Sequence, residues 1–564
     1  MNERRLPVVL ALLALAACTD SVGPGPQPQV SCTSVSATVL APGESAVIDP
    51  VAVKGCIRLP AAGAAGAEHL YVALSAAVRE ADIGVSTTYT LAASENSAVM
   101  ADVGATAAPL RLPSAGIGEL QAVSGAAAFH DMLRAREREL SASPAAAFFS
   151  PNRAAIATVP PTVGAMRDFQ VCQTTSCTNF VTVRATAQRV GPKGAIYVDN
   201  TVPANGYTAA DIDSVGTLFD AYLYPIDTTA FGRESDLDNN GVVVVLLTPA
   251  VNRLTPSCNQ AGSVILGYFF GSDLLPSQRG SNAGEIFYGL VPDPTNSSCT
   301  ISRTYAKSLI APTFIHEFQH MISFNQHVLL RGGLSEDTWL NEGLSHLAEE
   351  LGARQIPDAL CIDHDCMAQF ANGDLQNGYK YLVNPEATAL VEDSRSTGSL
   401  AERGANWLFV RWLADQFGTI PLSTNFTRAI VATNNLGAAN VAAVTGQPFP
   451  TLVTQWQLAN YLDNLPGFTP ASPRLQYLSW DFRATYLALM QQRPSTFGRP
   501  YPLVPDSTRT GTYRRNGVLR DGSGRHLRLI QAAGAPAINI QLSDSLGTSL
   551  TNAAVPRIGL VRIR

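Results

Sequence analysis

The sequence contains little charge and has no excess of basic residues. Of its 564 residues only 15% are charged, and 45 acidic residues outnumber 39 lysines and arginines, giving a formal net charge of -6. The lack of a basic surplus excludes the electrostatic footprint of a nucleic-acid-binding protein. Since 46% of the residues are hydrophobic, most of the chain should fold. Its length predicts about three or four domains.

Long apolar runs are also missing. Beyond the N-terminus no run reaches the roughly 18 apolar residues that a transmembrane helix needs, and the run from Leu6 to Ala17 is itself too short. Arg4 and Arg5 precede this run, as in a secretory signal peptide. The chain is therefore expected to leave the cytoplasm without a membrane-spanning helix.

The end of that run, Leu15 to Cys18, resembles the lipobox of bacterial lipoproteins. The resemblance implies a signal peptide over 1–17, lipid attachment to Cys18, a lipid-anchored linker over 18–31, and the membrane as a partner through the acyl chains. We expect an exported bacterial lipoprotein of the cell envelope, at the outer membrane, or an extracellular protein. The alternative is an ordinary secretory signal with a chance cysteine.

Unpaired cysteines are not expected in the exported protein. Without Cys18, the nine cysteines of the sequence become eight, which fall into neighbouring pairs. Export to an oxidising compartment favours disulfides over metal bound by cysteine. Between Cys361 and Cys366, a metal site formed by His364, Asp363 and Asp365 is the alternative to a small disulfide loop. The simplest pairing is Cys32–Cys56, Cys172–Cys177, Cys258–Cys299 and Cys361–Cys366.

Short β-prone runs with glycine and proline between them occur in three parts of the chain. Residues 32–115 are predicted to form a β-sandwich-like domain, a second β-rich region begins at about residue 161, and residues 491–564 are predicted to form a C-terminal β module. Residues 116–160 are interpreted as a helical connector with a solvated face, because acidic and basic residues balance in its charged segment. A further helix is predicted over 209–222.

An acidic loop precedes a Val-rich run after that helix. Asp236, Asp238, Asn240 and Gly241 match the first six positions of a calcium loop, D-x-D-x-N-G. The twelfth position is Leu247, which cannot ligate a metal, so the loop is not an EF-hand. Two interpretations stay open: a turn stabilised by Asx side chains that leads into a buried strand, or a Ca²⁺ site.

The sequence then offers H-E-x-x-H at His316, Glu317 and His320. Two histidines four residues apart lie on one face of a helix and can bind Zn²⁺, and the glutamate between them can activate water as a base. Apolar residues at helical spacing around the motif predict a helix that starts near Pro312 and buries one face. A catalytic zinc site also needs a third protein ligand.

The absence of the metzincin pattern narrows the choice of the third ligand. The metzincin continuation H-x-x-G-x-x-H is missing, and His327 lies one residue too late, about 100° around the helix. A second helix is predicted after Asp337, in which Glu342, His346 and Glu349 share one face. Glu342 can complete a site of two histidines and one glutamate. Glu349 is either the alternative third ligand or, like His346, a residue that holds a zinc-binding histidine from outside.

The motifs HEFQHMISFN and WLNEGLSHLAEE resemble the gluzincins, and among them the hyicolysin-type secreted bacterial metallopeptidases. The N-E-G element around Glu342 stands where that clan places its glutamate ligand, so the resemblance implies this role for Glu342. The stretch from His320 to Glu342 is slightly longer than in the thermolysin and aminopeptidase groups, which indicates an insertion at 331–333. The resemblance covers about 283–350 well and continues more loosely to residue 465.

The resemblance implies an α+β fold with a zincin-like metallopeptidase domain over 161–354 and a helical subdomain over 355–490, between the β-sandwich-like domain and the β module. It also implies that the strand-like segment 283–293 is an edge strand that pairs with substrate, although an internal strand fits equally well. Tyr379 or Tyr381 could stabilise an oxyanion, and ordinary packing of both is the alternative.

The expected function is that of a zinc-dependent endopeptidase of the cell envelope that acts on protein or peptide substrates. A metal-activated water would attack the peptide bond with Glu317 as base. The element G-x-M-E-N, which aminopeptidases of this clan use to hold a free N-terminus, is absent. Two other functions stay open: a lipid-anchored binding or adhesion protein on a non-catalytic scaffold, or a zinc hydrolase of envelope polymers. Neither oligomeric state nor cleavage preference can be deduced.

Overall fold

A computed structural model describes residues 32, 35–77, 86–95, 125–143, 159–255, 257–258, 264–391 and 398–564. The expected signal peptide, Cys18 and the linker lie outside these residues. Within them, no helix combines the length and the apolar composition that crossing a membrane requires. The expectation of an α+β fold is confirmed at the level of mixed helices and sheets.

The strands are numbered in chain order. They are β1 (Ser45–Ile48), β2 (Cys56–Leu59), β3 (Ala67–Ser75), β4 (Thr87–Ser94), β5 (Met166–Cys172), β6 (Phe180–Val190), β7 (Gly194–Asp199), β8 (Val243–Leu247), β9 (Gly267–Phe269), β10 (Ile286–Gly289), β11 (Asp506–Thr508), β12 (Tyr513–Leu519), β13 (Gly524–Gln531), β14 (Ile538–Ser543) and β15 (Pro556–Arg562).

The α-helices are numbered in the same way. They are α1 (Gly125–Ser141), α2 (Ala209–Leu218), α3 (Tyr224–Phe231), α4 (Pro249–Arg253), α5 (Arg303–Phe324), α6 (Thr338–Gln355), α7 (Asn372–Val383), α8 (Leu400–Phe417), α9 (Thr424–Val431), α10 (Gly437–Thr445), α11 (Phe449–Leu462) and α12 (Phe482–Gln492). A π-helical turn, Phe219–Leu223, joins α2 to α3, so the helix predicted over 209–222 continues further than expected.

Strands from both ends of the chain form one β-sandwich. One sheet has the order β1-β15-β3-β13-β11 and the other β12-β4-β14-β2, so each mixes N-terminal and C-terminal strands. The structure therefore corrects the prediction of two independent β units. The physical reason is that each segment alone offers too few strands to cover its apolar face, and the two complete each other.

Strand β3 shows how the sandwich attaches to the rest of the molecule. Successive side chains of a strand point to opposite faces. Tyr71 and Ala73 enter the core between the two sheets, whereas Leu70, Val72 and Leu74 enter the large core shared with the helices. All nine residues of β3 are buried. The strand is thus covered on both faces, and the sandwich rests on the helical part through its five-stranded sheet.

The central sheet has the order β5-β6-β7-β8-β10-β9. β7, β8 and β10 run parallel, and β9 pairs antiparallel with β10 at the end of the sheet. The segment predicted over 283–293 therefore contains an internal strand, β10, and the edge-strand interpretation of it was wrong. The edge strand next to the HExxH helix is the three-residue β9, which is too short to be recognised from periodicity.

Helix α5 carries the HExxH motif and starts earlier than predicted. Ser302 caps it, since its hydroxyl accepts a hydrogen bond from the amide of Tyr305 at 3.1 Å. Pro312 consequently lies inside the helix, not in its first turn. Proline leaves the carbonyl four residues earlier without its helical donor. That carbonyl belongs to Ser308, which lines the cavity described below.

The buried face of α5 packs against the central sheet. The ring of Phe314 stacks on Phe219 at 4.2 Å and on Phe287 of β10 at 4.8 Å between centroids. Phe318 and Ile315 are fully buried in the same core. Aromatic stacking adds about 0.5–1.5 kcal/mol per pair to the burial of apolar area. This packing fixes the rotation of α5, and so the direction in which its histidines point.

The helical connector differs most from its prediction. Helix α1 has exposed positions such as Ala128, Ala135 and Glu139, as a solvated face predicts, but its other face is buried and carries charged residues. Its side chains Phe129, Leu133 and Leu140 enter the molecular core, and Arg134 and Glu137 are buried as an ion pair of 3.0 Å. The balance of charges predicts a solvated face, but Asp131, Arg134, Glu137 and Arg138 form ion pairs with charged residues of the protein.

Four disulfides join Cys32 to Cys56, Cys172 to Cys177, Cys258 to Cys299 and Cys361 to Cys366. The predicted pairing is confirmed, and at 361–366 the disulfide loop is found where a metal site around His364 was the alternative. The remaining domain boundaries stay predictions.

Candidate metal centre

Helices α5 and α6 bring three side chains to one point. Nε2 of His316 lies 3.2 Å from Nε2 of His320. Oxygens of Glu342 lie 3.4 Å from His316 Nε2 and 3.6 Å from His320 Nε2. The two histidines come from adjacent turns of α5, and Glu342 comes from the first turns of α6.

These separations fit a tetrahedral zinc ion. Zinc held at about 2.0–2.2 Å by nitrogen and oxygen separates its ligands by about 3.3–3.6 Å. Glu342 is only 2% exposed, and its buried Oε1 has no hydrogen-bond partner among the described residues. A buried carboxylate oxygen without a donor is costly unless a cation binds it. The donor set therefore fits Zn²⁺.

A second set of side chains supports His316 from the other side. Glu349 Oε1 lies 2.8 Å from Nδ1 of His316 and 3.1 Å from Nδ1 of His346, and Asp374 Oδ1 lies 2.8 Å from the same His346 nitrogen. His316, His346 and Glu349 could themselves hold a metal by proximity alone. The 2.8 Å contact is a normal hydrogen-bond length, which suits a carboxylate that orients a ligating imidazole.

Charges around Glu342 keep it ionised. Burial alone would raise the pKa of this carboxyl, but the Arg403 guanidinium, 3.1 Å away, and the two histidines hold the pKa well below its usual range. For His316, burial would lower the pKa, yet hydrogen bonds to Glu342 and Glu349 raise it to about 10. The histidines, the two glutamates and Arg403 are thus strongly coupled to one another electrostatically.

Glu317 lies beside this centre and is almost fully buried, with 1% of its surface exposed. Its Oε2 accepts a hydrogen bond of 2.9 Å from the amide of Phe269, on the edge strand β9. Its Oε1 lies 3.4 Å from Nδ1 of His130 on α1. Burial raises the pKa of Glu317, although the charges of His316 and Arg134 oppose this effect.

A cavity of about 740 Å³ opens onto the three candidate ligands and Glu317. Its walls come from α5, α6 and α7, the start of β9 with the residues just before it, the first turns of α1, and the disulfide loop near Cys361. A volume of this size can hold several residues of a peptide. Because the cavity reaches Gly267 of β9, the sheet edge and the metal centre share one cleft.

Helix α1 packs against the turn that follows β9 and contacts β9 through one aromatic ring. All three residues of β9 are buried although β9 is the last strand of the sheet. Phe129 meets Tyr268 edge-to-face at 5.2 Å, and Gly271, just after β9, lies so close to Glu137 that a Cβ there would come within 2.6 Å of its Cγ. Ion pairs of Arg138 with Asp337 and of Asp131 with Arg403 tie the helix to α6 and α8.

Other predicted residues lie away from the centre. His327 is buried beside Glu336, with 3.7 Å between nitrogen and oxygen, and is not near the three candidate ligands. Tyr379 OH accepts a hydrogen bond from the amide of Arg499, and Tyr381 OH accepts one from Gln457. Neither tyrosine lines the cavity, so the packing interpretation holds for both.

Asp337 precedes α6, but its side chain makes no capping hydrogen bond and pairs with Arg138.

Three residues of the site were missed by the sequence analysis. Asp374 holds His346, Arg403 pairs with Glu342, and His130 approaches Glu317. Each comes from a helix far along the chain from the HExxH motif, and none belongs to a recognisable motif. The sequence signal nearest to any of them is the apolar stretch of α8, near whose start Arg403 stands.

No known protein-family model matches the chain. The chain is 29% identical over 175 residues to the neutral metalloprotease ShpI of Staphylococcus hyicus. The similar stretch makes up 30% of this chain and 38% of that protein, so the chain covers well under half the length of this relative. The similarity supports a distant relationship to metalloproteases.

Proposed function

We propose that the protein is a zinc-dependent endopeptidase of the gluzincin type. One observation supports this most strongly: nitrogens of His316 and His320 and oxygens of Glu342 lie 3.2 to 3.6 Å from one another, with Glu317 buried beside them. This is the ligand set of a zinc site that leaves one position for water. The distant similarity to a neutral metalloprotease supports the same reaction class.

Glu317 and Glu349 have different roles beside the bound metal. When bound, zinc acts as a Lewis acid that acidifies water and polarises the carbonyl of a peptide bond. Glu317 takes the proton of the attacking water and returns it to the departing amine. The raised pKa of Glu317 brings its protonated form closer to neutral pH, as a residue that must both accept and donate a proton requires. Glu349 keeps the His316 ring in the orientation in which Nε2 faces the metal.

We propose β9 as the strand that binds the substrate backbone. An extended peptide adds to a free sheet edge through main-chain hydrogen bonds. The cavity gives access to this edge at Gly267, beside the candidate ligands. Helix α1 contacts Tyr268 of β9 and packs beside Gly271, just after the strand, so we expect a substrate that extends along all of β9 to displace α1.

The proposed location is the bacterial cell envelope, with Cys18 carrying the lipid. This part of the proposal depends only on the lipobox-like sequence before Cys18. Four disulfides agree with an oxidising compartment. A protein or peptide chain is the proposed substrate.

The test uses zinc-loaded full-length chain with casein and peptidoglycan as separate substrates. We expect casein to be cut at internal bonds, with activity lost after 1,10-phenanthroline and restored by Zn²⁺. The Arg138→Ala variant is assayed in parallel, because a docked α1 limits access to β9. Hydrolysis of peptidoglycan alone would replace the proposal with an envelope-polymer hydrolase. Zinc binding without turnover of either substrate, in both proteins, would indicate a non-catalytic scaffold.

A further inference from the structure

The acidic loop before β8 receives a carboxylate from elsewhere in the chain. Asp236 and Asp238 offer oxygens within 4.8 Å of one another and of an oxygen of Glu285, which directly precedes β10. The sequence pattern lacked a ligand at its twelfth position, and Glu285 supplies one from the neighbouring strand. Asn240, in contrast, uses its side chain inside the loop, donating to Asp238 at 2.8 Å and accepting from the amide of Val242 at 2.7 Å.

The environment of the Glu285 carboxylate indicates that an ion binds here. It is 2% exposed, and its Oε1 accepts hydrogen bonds from the Ser235 hydroxyl at 2.5 Å and from the Leu237 amide at 3.1 Å. Its Oε2 is buried and has no hydrogen-bond partner among the residues that the structure describes. A cation bound at such a carboxylate would offset the desolvation of its ionised form.

The charge count indicates a divalent ion. Three carboxylates converge, and among the described residues Arg167 balances part of their charge, with its Nη1 3.9 Å from Asp238 Oδ2. When all three carboxylates are ionised, two negative charges remain for an ion to neutralise. The backbone fits closely around the site, since a Cβ on Gly284 would come within 3.2 Å of the same Asp238 oxygen.

We propose that Asp236, Asp238 and Glu285 bind one Ca²⁺ ion that joins the loop before β8 to the start of β10. Calcium prefers oxygen ligands at about 2.3–2.6 Å, so opposite ligands stand up to about 5 Å apart. The ligand separations of up to 4.8 Å fall within this limit. Water and backbone carbonyls complete the coordination, as is usual for calcium.

The proposed calcium site is connected to the end of helix α5, which carries the HExxH motif. Arg233, at the start of the same loop region, accepts hydrogen bonds through its carbonyl from Asn325 and Gln326, both at 2.8 Å. These two residues follow directly after α5. A bound Ca²⁺ would therefore hold the loop against both the central sheet and the end of the helix that carries His316 and His320.

The test is calorimetric titration of CaCl₂ into the full chain carrying Glu317→Gln, which removes self-cleavage from the measurement. We expect one Ca²⁺ per chain with a Kd below about 1 mM, the range of extracellular calcium sites. MgCl₂ should bind at least tenfold more weakly. Calcium should also raise the Tm in a concentration-dependent way. These readouts do not depend on protease activity.

Two ligand variants and one control complete the experiment. Glu285→Gln and Asp236→Asn should each weaken calcium binding at least tenfold. Asp236 is exposed, so its variant remains informative if the buried Glu285→Gln fails to fold. Asp168→Asn removes a carboxylate that is 53% exposed on β5 and should change nothing. Absence of binding at about 10 mM CaCl₂, or unchanged binding by both ligand variants, would overturn the proposal.

Discussion

Glu349 Oε1 lies 2.8 Å from Nδ1 of His316, while Nε2 of the same imidazole lies 3.4 Å from Glu342. One ring therefore faces carboxylates through both of its nitrogens, and the two carboxylates have different tasks. Glu342 belongs to the group that converges with His320. Glu349 is placed to fix the ring and to make its other nitrogen a better ligand.

Replacing Glu349 by alanine should weaken zinc binding without abolishing it. Loss of a carboxylate that orients a zinc-binding histidine typically lowers metal affinity by about 10–100-fold. Competition with a chromophoric chelator measures this change. His364→Ala, at an exposed histidine of the disulfide loop, is the control and should bind zinc as the parent does. Complete loss of zinc in Glu349→Ala would mean that Glu349 is itself a ligand.

Replacing Asp374 by asparagine should lower the pKa of His346. Burial alone lowers this pKa, but Asp374 and Glu349 raise it to about 9. Without the Asp374 carboxyl as hydrogen-bond acceptor, His346 should lose its proton at lower pH than in the parent. Histidine-selective NMR across a pH titration measures the shift. Asp363→Asn, at an exposed residue of the cavity wall, is the matched control. Identical titration of His346 in parent and Asp374→Asn would contradict the pairing.

Weakening the docking of α1 should increase activity on long substrates. Arg138 pairs with Asp337, and its side chain is 30% exposed. Such a pair contributes up to about 1 kcal/mol, so kcat/KM of Arg138→Ala on casein should rise by up to about fivefold. Glu139→Ala removes a charge from the exposed face of the same helix and should leave kcat/KM unchanged. A fall in kcat/KM of Arg138→Ala would show that docked α1 assists catalysis.

Calcium affinity should decrease as the pH falls below about 7. Burial raises the pKa of the Glu285 carboxyl to about 7, against hydrogen bonds from Ser235 and Leu237 that lower it. Asp236, Asp238 and Arg167 are the charged groups around it. Calcium binds the ionised form, so below this pKa each ion must release a proton and the apparent Kd should rise by up to tenfold per pH unit. Equal affinity at about pH 6 and pH 8 would contradict this linkage.

The anchor can be tested independently of the site. If Cys18 carries lipid, Cys18→Ser should move the protein from the detergent-soluble membrane fraction to the soluble envelope or the medium. Cys18→Ala should behave in the same way, because neither residue offers the sulfur that is acylated. If both variants stay in the same fraction as the parent, Cys18 is not lipidated and residues 15–18 belong to an ordinary signal cleavage site.

The side chains that converge could be named from the sequence because their spacing is local. His316 and His320 share a helix face by periodicity alone, and Glu342 follows on the next helix. Asp374, Arg403 and His130 could not be named, since their approach depends on how separate helices pack. The same limit explains why the two β segments were not recognised as one sandwich: strand pairing between chain ends leaves no short-range pattern.

Zinc content and peptide hydrolysis of Glu317→Gln, measured on the same preparation, test the central claim most directly. The amide keeps the shape of the side chain but cannot accept the proton of water. We predict about one zinc per chain, as in the parent, with kcat/KM reduced by about 10²–10⁴-fold. A variant that retains zinc and cleaves peptide within a few-fold of the parent rate would contradict the role of Glu317 as the catalytic base.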